Sequence, residues 1–216
     1  MPFKENEREY RNFQSYELVS ANEENKETKS VNGYASTFEE YVLRNRDGQI
    51  WTERLDPHAF DNTDTSDVVF LKDHTGTVYA RNRNGTLNIS VDENGLKVSA
   101  DLSKTTSARQ MYEEIEAGLY DQMSFGFVVN GQHFEHEERD GQHIIHRIID
   151  SVAKIFDVSA VSFPANPTTE ISVSTRDAFN GEIEQFEAER LRVEEEQREL
   201  LKKKLELKLK LGGLEK

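Results

Sequence analysis

The stretch Thr86-Leu87-Asn88-Ile89-Ser90-Val91-Asp92-Glu93-Asn94-Gly95-Leu96-Lys97-Val98-Ser99-Ala100-Asp101-Leu102 carries the clearest local signal in the chain. Leu87, Ile89 and Val91 alternate with polar residues before the turn, and Leu96, Val98 and Ala100 alternate after it. A period of two gives a strand one apolar face, and Asn-Gly supplies the positive φ angles of a tight turn, so residues 86–102 read as a hairpin. Toward the C-terminus, Thr105 to Leu119 carries Met111, Ile115 and Leu119 at four-residue spacing with Gly118 near its end, which predicts an amphipathic helix. It leads into an apolar strand, Met123 to Asn130. A second hairpin spans His133 to Ile149 with Asp140-Gly141 as its turn. Val152 to Phe163 follows as a strand apolar on both faces, ended by Pro164 and Pro167.

Toward the N-terminus, Val68 to Leu71 reads as a short buried strand ending at His74, and a short helix is expected near Pro57. A turn at Asp47-Gly48 separates Tyr41–Leu43 from Ile50-Trp51. Tyr16–Ser20 and Val31–Phe38 read as strands around the polar stretch Asn22–Lys29. Residues 1–14 are polar and read as a flexible N-terminus. Many short strands joined mostly by hairpins, with few helices, predict a mainly β fold: an antiparallel or mixed β-barrel-like domain over residues 15–175.

From Ala178 the composition shifts to Glu, Lys, Arg and Leu, with Phe179, Phe186, Val193, Leu200, Leu207 and Leu214 spaced by seven. A second seam fails, because Arg190, Gln197 and Lys204 alternate with Ile183 and Leu211. Residues 176–216 therefore read as a long, charged C-terminal helical tail that meets a partner helix, with self-association as one option.

Charge and composition exclude several functions. The chain has 216 residues, a net charge of −14 and no cysteine, and its mean hydropathy is −0.77. Nucleic-acid affinity comes largely from Lys and Arg releasing counterions, so an acidic chain predicts no nucleic-acid partner. Without cysteine there is no disulfide, thiolate metal site or Cys nucleophile, which leaves Ser, Thr or another group for covalent chemistry and suits a reducing compartment. Met1 to Arg11 is charged and no apolar run reaches about 18 residues, which predicts neither a secretion signal nor a membrane span.

Three residues stand out for chemistry. In Met123-Ser124-Phe125-Gly126-Phe127-Val128-Val129, a strand places Ser124 beside Gly126 on the face opposite Phe125 and Phe127. A glycine there lets another backbone approach, as an extended substrate along a nucleophile requires. The same pattern also describes an ordinary strand serine beside a bulge, because a serine needs a base before it is a nucleophile. His74 sits where a strand opens into a loop and is a natural general base, although a surface histidine at a turn looks the same. Asp157 lies in a strand apolar on both faces, so it is either paired with a cation or backbone donors, or it orients an imidazole. His133, His136, His143 and His146 invite a metal reading. With Asp140-Gly141 as the turn, Glu138 faces His143 and Glu135 faces His146, which divides the histidines into two cross-strand pairs. No metal and no cofactor is therefore expected.

Taken in order, Val31-Asn32-Gly33-Tyr34-Ala35, Leu71-Lys72-Asp73-His74, Gly95-Leu96-Lys97-Val98, Met123-Ser124-Phe125-Gly126-Phe127 and Asp157-Val158-Ser159-Ala160-Val161-Ser162-Phe163-Pro164-Ala165-Asn166-Pro167 resemble the tailed-phage prohead (capsid maturation) serine protease family. The chain departs from the family's usual Pro-Gly-Ala-Phe in having His58 within Pro57-His58-Ala59-Phe60. The resemblance implies a barrel akin to the herpesvirus assemblin protease. It implies a serine endopeptidase with Ser124 as nucleophile, His74 as base and Asp157 as third residue. It also implies the major capsid protein precursor and scaffold segments as substrates, self-cleavage, and action in the host cytoplasm inside the immature capsid. A non-enzymatic capsid assembly or scaffolding protein with the same barrel is the competing expectation.

Overall fold

The structure is a computed structural model that describes residues 8–13, 19–20, 29–46, 48–162 and 173–212. Among the described residues, eleven strands and two α-helices follow in chain order: β1 (Glu9–Phe13), β2 (Val19–Ser20), β3 (Ser30–Thr37), β4 (Tyr41–Arg46), β5 (Gln49–Leu55), β6 (Val69–Lys72), β7 (Thr75–Arg81), β8 (Leu87–Val91), β9 (Gly95–Asp101), α1 (Thr106–Glu116), β10 (Gln122–Arg139), β11 (Gln142–Val161) and α2 (Val173–Gly212). Seven strands form one sheet, in the order β1-β10-β11-β5-β4, with β6 pairing on β11 and β7 on β6. The other four form a sheet ordered β2-β3-β9-β8. Both β5 and β6 run parallel to β11, so the larger sheet is mixed. Among the described residues no ladder closes either sheet into the barrel that the sequence suggested; the strands form two separate sheets.

The two sheets and α1 share one apolar core. Val31, Leu96 and Val98 come from the small sheet, Phe70, Phe125, Phe127 and Val158 from the large one, and Met111 and Ile115 from α1. Burial of such side chains contributes about 1.5–3 kcal/mol each, and this core fixes where β6, β10 and β11 run.

The hairpin at 86–102 forms as β8 and β9, with Leu87 opposite Ala100 and Val91 opposite Leu96. Its glycine answers to a close approach: a Cβ on Gly95, whose φ is 153°, would lie 2.1 Å from the Ser36 carbonyl oxygen of β3. The helix ends at Glu116, capped at its start by the Thr105 hydroxyl, which accepts the Ala108 N–H. Gly118 turns the chain at φ 73°, and Leu119 is exposed instead of belonging to the apolar stripe. Near Pro57 the chain makes turns, not a helix, because the Asp56 side chain accepts the His58 N–H and closes an Asx turn. The strand 123–130, the hairpin 133–149 and the strand 152–163, read separately, are two continuous strands, β10 and β11, paired in one antiparallel ladder. They carry register shifts around Gly126, Val129 and Gly131 that bend them.

The expected loose N-terminus contains β1, paired antiparallel to β10. Glu9 and Arg11 of β1 bury their charges against Glu53 of β5 and Arg147 of β11. Arg11 Nε lies 2.5 Å and Arg147 Nη1 2.5 Å from Glu53, and Arg147 Nη2 lies 2.9 Å from Glu9. Burial disfavours these charges, yet the two carboxylates hold both guanidinium groups above their ordinary range.

The chain divides into two compact units, one ending at Ser174 and one running from Thr175. The second is the helix α2. Its Val193, Leu200 and Leu207, three of the residues at intervals of seven, are exposed along with Leu191, Leu201 and Leu205. Among the described residues no helix is long and apolar enough to cross a membrane. The strand start at Tyr16–Leu18, most of the stretch 22–29, the turn residue Asp47, the prolines at 164 and 167, and Leu214 lie outside the described residues.

Candidate active site

Strand β10 presents Ser124 fully buried, opposite Ser159 of β11 on one side and Asn12 of β1 on the other. Two residues along, Gly126 faces Asp157 of β11, so the serine and the carboxylate project from neighbouring strands on the same face. A Cβ on Gly126 would lie 2.5 Å from Asp157 Oδ2 and 2.7 Å from Arg8 Nε. The space left by the glycine is therefore taken by a carboxylate and a guanidinium.

His74 comes from the turn between β6 and β7. Lys72 pairs with Thr75, so Asp73 and His74 are the two central residues, both left-handed at φ 47° and 56°. Such a conformation costs an L-residue roughly 1–2 kcal/mol. The turn is held against β11, where the Asp73 N–H donates to the Ala160 carbonyl at 3.0 Å and Asp73 Oδ1 accepts the Ser162 N–H at 3.0 Å.

The three candidates converge. His74 Nε2 lies 2.6 Å from Ser124 Oγ, and His74 Nδ1 lies 2.6 Å from Asp157 Oδ1. The Ser159 hydroxyl donates to Asp157 Oδ1 at 2.7 Å. Burial first, and then the positive charge of Arg8, hold the His74 imidazole down at about 4, so it is neutral at neutral pH. An ionised carboxylate only accepts, so the neutral ring carries its hydrogen on Nδ1 toward Asp157 and leaves the Nε2 lone pair facing the Ser124 hydroxyl.

Arg8 and strand β1 add residues that carried no signal in the sequence. The Arg8 guanidinium pairs with Asp157 Oδ2, the Tyr10 ring lies 4.3 Å from the imidazole, and the Arg11 carbonyl accepts the Ser124 hydroxyl at 2.9 Å. Ser159 was findable, since it stands two residues from Asp157 on the same strand face. The segment from Arg8 to Phe13 offers no apolar signal, because its buried side chains Glu9 and Arg11 are charged.

The histidine ladder has the expected register, with Glu138 opposite His143 and Glu135 opposite His146. His136 and His143 stack with ring centroids 5.1 Å apart, and His133 bonds Asp150 at 2.8 Å. Among the described residues no group of three His, Asp or Glu is placed to hold a metal ion.

A buried hydroxyl, an imidazole and a carboxylate joined in this order are the equipment of serine-nucleophile chemistry at a carbonyl. The family-level comparison agrees with that class. The chain belongs to the Caudovirus prohead serine protease family, whose model matches residues 15–183. A protease role in capsid maturation comes with that family. No curated protein and no solved structure shows a significant match.

Proposed function

We propose that this chain is a serine endopeptidase that cuts capsid-precursor and scaffold segments during prohead maturation. The observation that carries the proposal is His74 bridging Ser124 and Asp157 at 2.6 Å on each side. His74 Nε2 takes the hydroxyl proton as Ser124 Oγ attacks the peptide carbonyl, then gives it to the leaving amine. Asp157 holds the tautomer and stabilises the imidazolium that forms. The acyl group on Ser124 is then released to water.

The working domain is residues 15–175, with the two sheets as parts of an assemblin-like barrel. Residues 176–216 are a tail that binds helical precursor segments or a second copy, concentrates the enzyme inside the immature capsid in the host cytoplasm, and is removed by self-cleavage. No metal, cofactor, nucleic acid or membrane enters the scheme. Replacing Asp157 by Asn should lower kcat by on the order of 10³–10⁴-fold on a precursor peptide while the fold is kept. Undiminished turnover would contradict the role of Asp157. If no variant and no wild-type preparation cleaves, the non-enzymatic assembly reading takes its place.

A further inference from the structure

Arg8 and the strand β1 that follows it touch all three members of the proposed triad at once: Arg8 on Asp157, Tyr10 on His74 and the Arg11 carbonyl on Ser124. It does so as the antiparallel neighbour of β10 at the sheet edge, with Asn12 opposite Ser124 and Arg11 opposite Phe125. That is where an extended peptide adding to the sheet would lie beside the nucleophile. The contact is not an attacking pose. The Arg11 carbonyl oxygen accepts the same hydroxyl hydrogen that His74 Nε2 must accept, and one O–H serves one acceptor well. Arg8 meanwhile engages Asp157, and its Nε is buried with no acceptor among the described residues.

The buried charges are arranged so that β1 can leave. Glu9 and Arg11 balance each other, and so do Glu53 and Arg147, which stay bonded at 2.5 Å. Removing one partner of a buried pair is costly because it leaves a lone charge, but withdrawing Glu9 and Arg11 together leaves none beside Glu53 and Arg147, and Asp157, released from Arg8, keeps its bonds to His74 and Ser159. Strand β1 also lies outside residues 15–183, the span that the family model matches.

We propose that the edge of β10 from Met123 to Phe127 is the seat of the substrate strand, and that the chain's own Glu9–Phe13 segment occupies it at rest as a displaceable autoinhibitory strand. This rests on Ser124 being the nucleophile. The seat selects extended peptides with an acidic and a basic residue two apart, as in Glu9 and Arg11, facing Arg147 and Glu53. A tethered strand competes at an effective concentration of roughly millimolar, so β1 excludes dilute peptides and yields to crowded precursor chains.

The test compares the full-length chain with its Arg8→Ala/Tyr10→Ala variant, following labelling of Ser124 by a fluorophosphonate probe. The variant should label about tenfold faster or more, because the fraction of molecules with an open seat rises. A capped peptide of residues 8–13 should slow that labelling, and a scrambled peptide should not. In the unaltered chain, amide exchange at Glu9–Phe13 should speed up once Ser124 is phosphonylated, while α1 exchanges as before. Equal labelling rates, with exchange at β1 unchanged by phosphonylation, would overturn the inhibitory strand and leave Ser124 as nucleophile. No labelling in either folded protein would overturn the nucleophile assignment and the proposal together.

Discussion

At the scale of single residues, His74 occupies a left-handed turn position and is largely buried, so both its backbone and its side chain sit in costly states. Its proton uptake can be followed directly. The imidazole resonance of His74 should titrate near pH 4 in the folded protein, and a midpoint near 6.5 would contradict the burial argument. The same shift links to stability. The folded value of about 4 lies below the ordinary 6.5, so between these pH values the unfolded chain binds more protons than the folded one. Stability therefore falls as pH drops from about 6.5 to about 4, by up to about 3 kcal/mol. His74→Gln should flatten that slope in urea titrations. Gly126 is the other residue whose identity is dictated. Gly126→Ala would drive a methyl against Asp157 and Arg8, and should lower stability by about 1–3 kcal/mol and peptide cleavage with it. A stable, fully active alanine variant would show that the carboxylate has room to spare.

At the scale of elements, hairpins were legible wherever alternation met a turn with glycine. Asp140-Gly141 adopts φ 53° and 76°, as the register of β10 and β11 requires. The continuity of β10 and β11 was not legible, because each bulge shifts the alternation and makes one long strand look like two. Strand β1 was missed for a different reason: its buried face is made of Glu9 and Arg11, which a hydrophobic pattern cannot register. The site itself was half legible. Ser124, His74 and Asp157 each stood out, but each had an ordinary reading until the strand order brought them together. The buried charge cluster carries its own prediction. Arg147→Ala leaves Arg11 as the one cation bonded to both Glu9 and Glu53, one positive charge short of the two carboxylates, and should cost about 3–5 kcal/mol in chemical denaturation. A loss under about 1 kcal/mol would mean that water reaches the carboxylates.

At the scale of the whole molecule, the body and α2 divide the work differently. The body holds the proposed triad and most of the negative charge, whereas α2 exposes Val193, Leu200 and Leu207 along a charged helix. Deleting residues 178–216 should leave cleavage of a free precursor peptide within about twofold while abolishing incorporation into proheads. Normal incorporation of the truncated chain would remove the tail from the assembly step. What the molecule does to its precursors can be followed in the assembled prohead itself. Wild-type chain and Ser124→Ala are incubated with precursor capsid and scaffold proteins, free and co-assembled into proheads, and fragments are followed by mass spectrometry. Discrete fragments are expected from the wild type in proheads and none from Ser124→Ala. Fragments from both proteins, or from neither, would contradict a serine endopeptidase acting through Ser124.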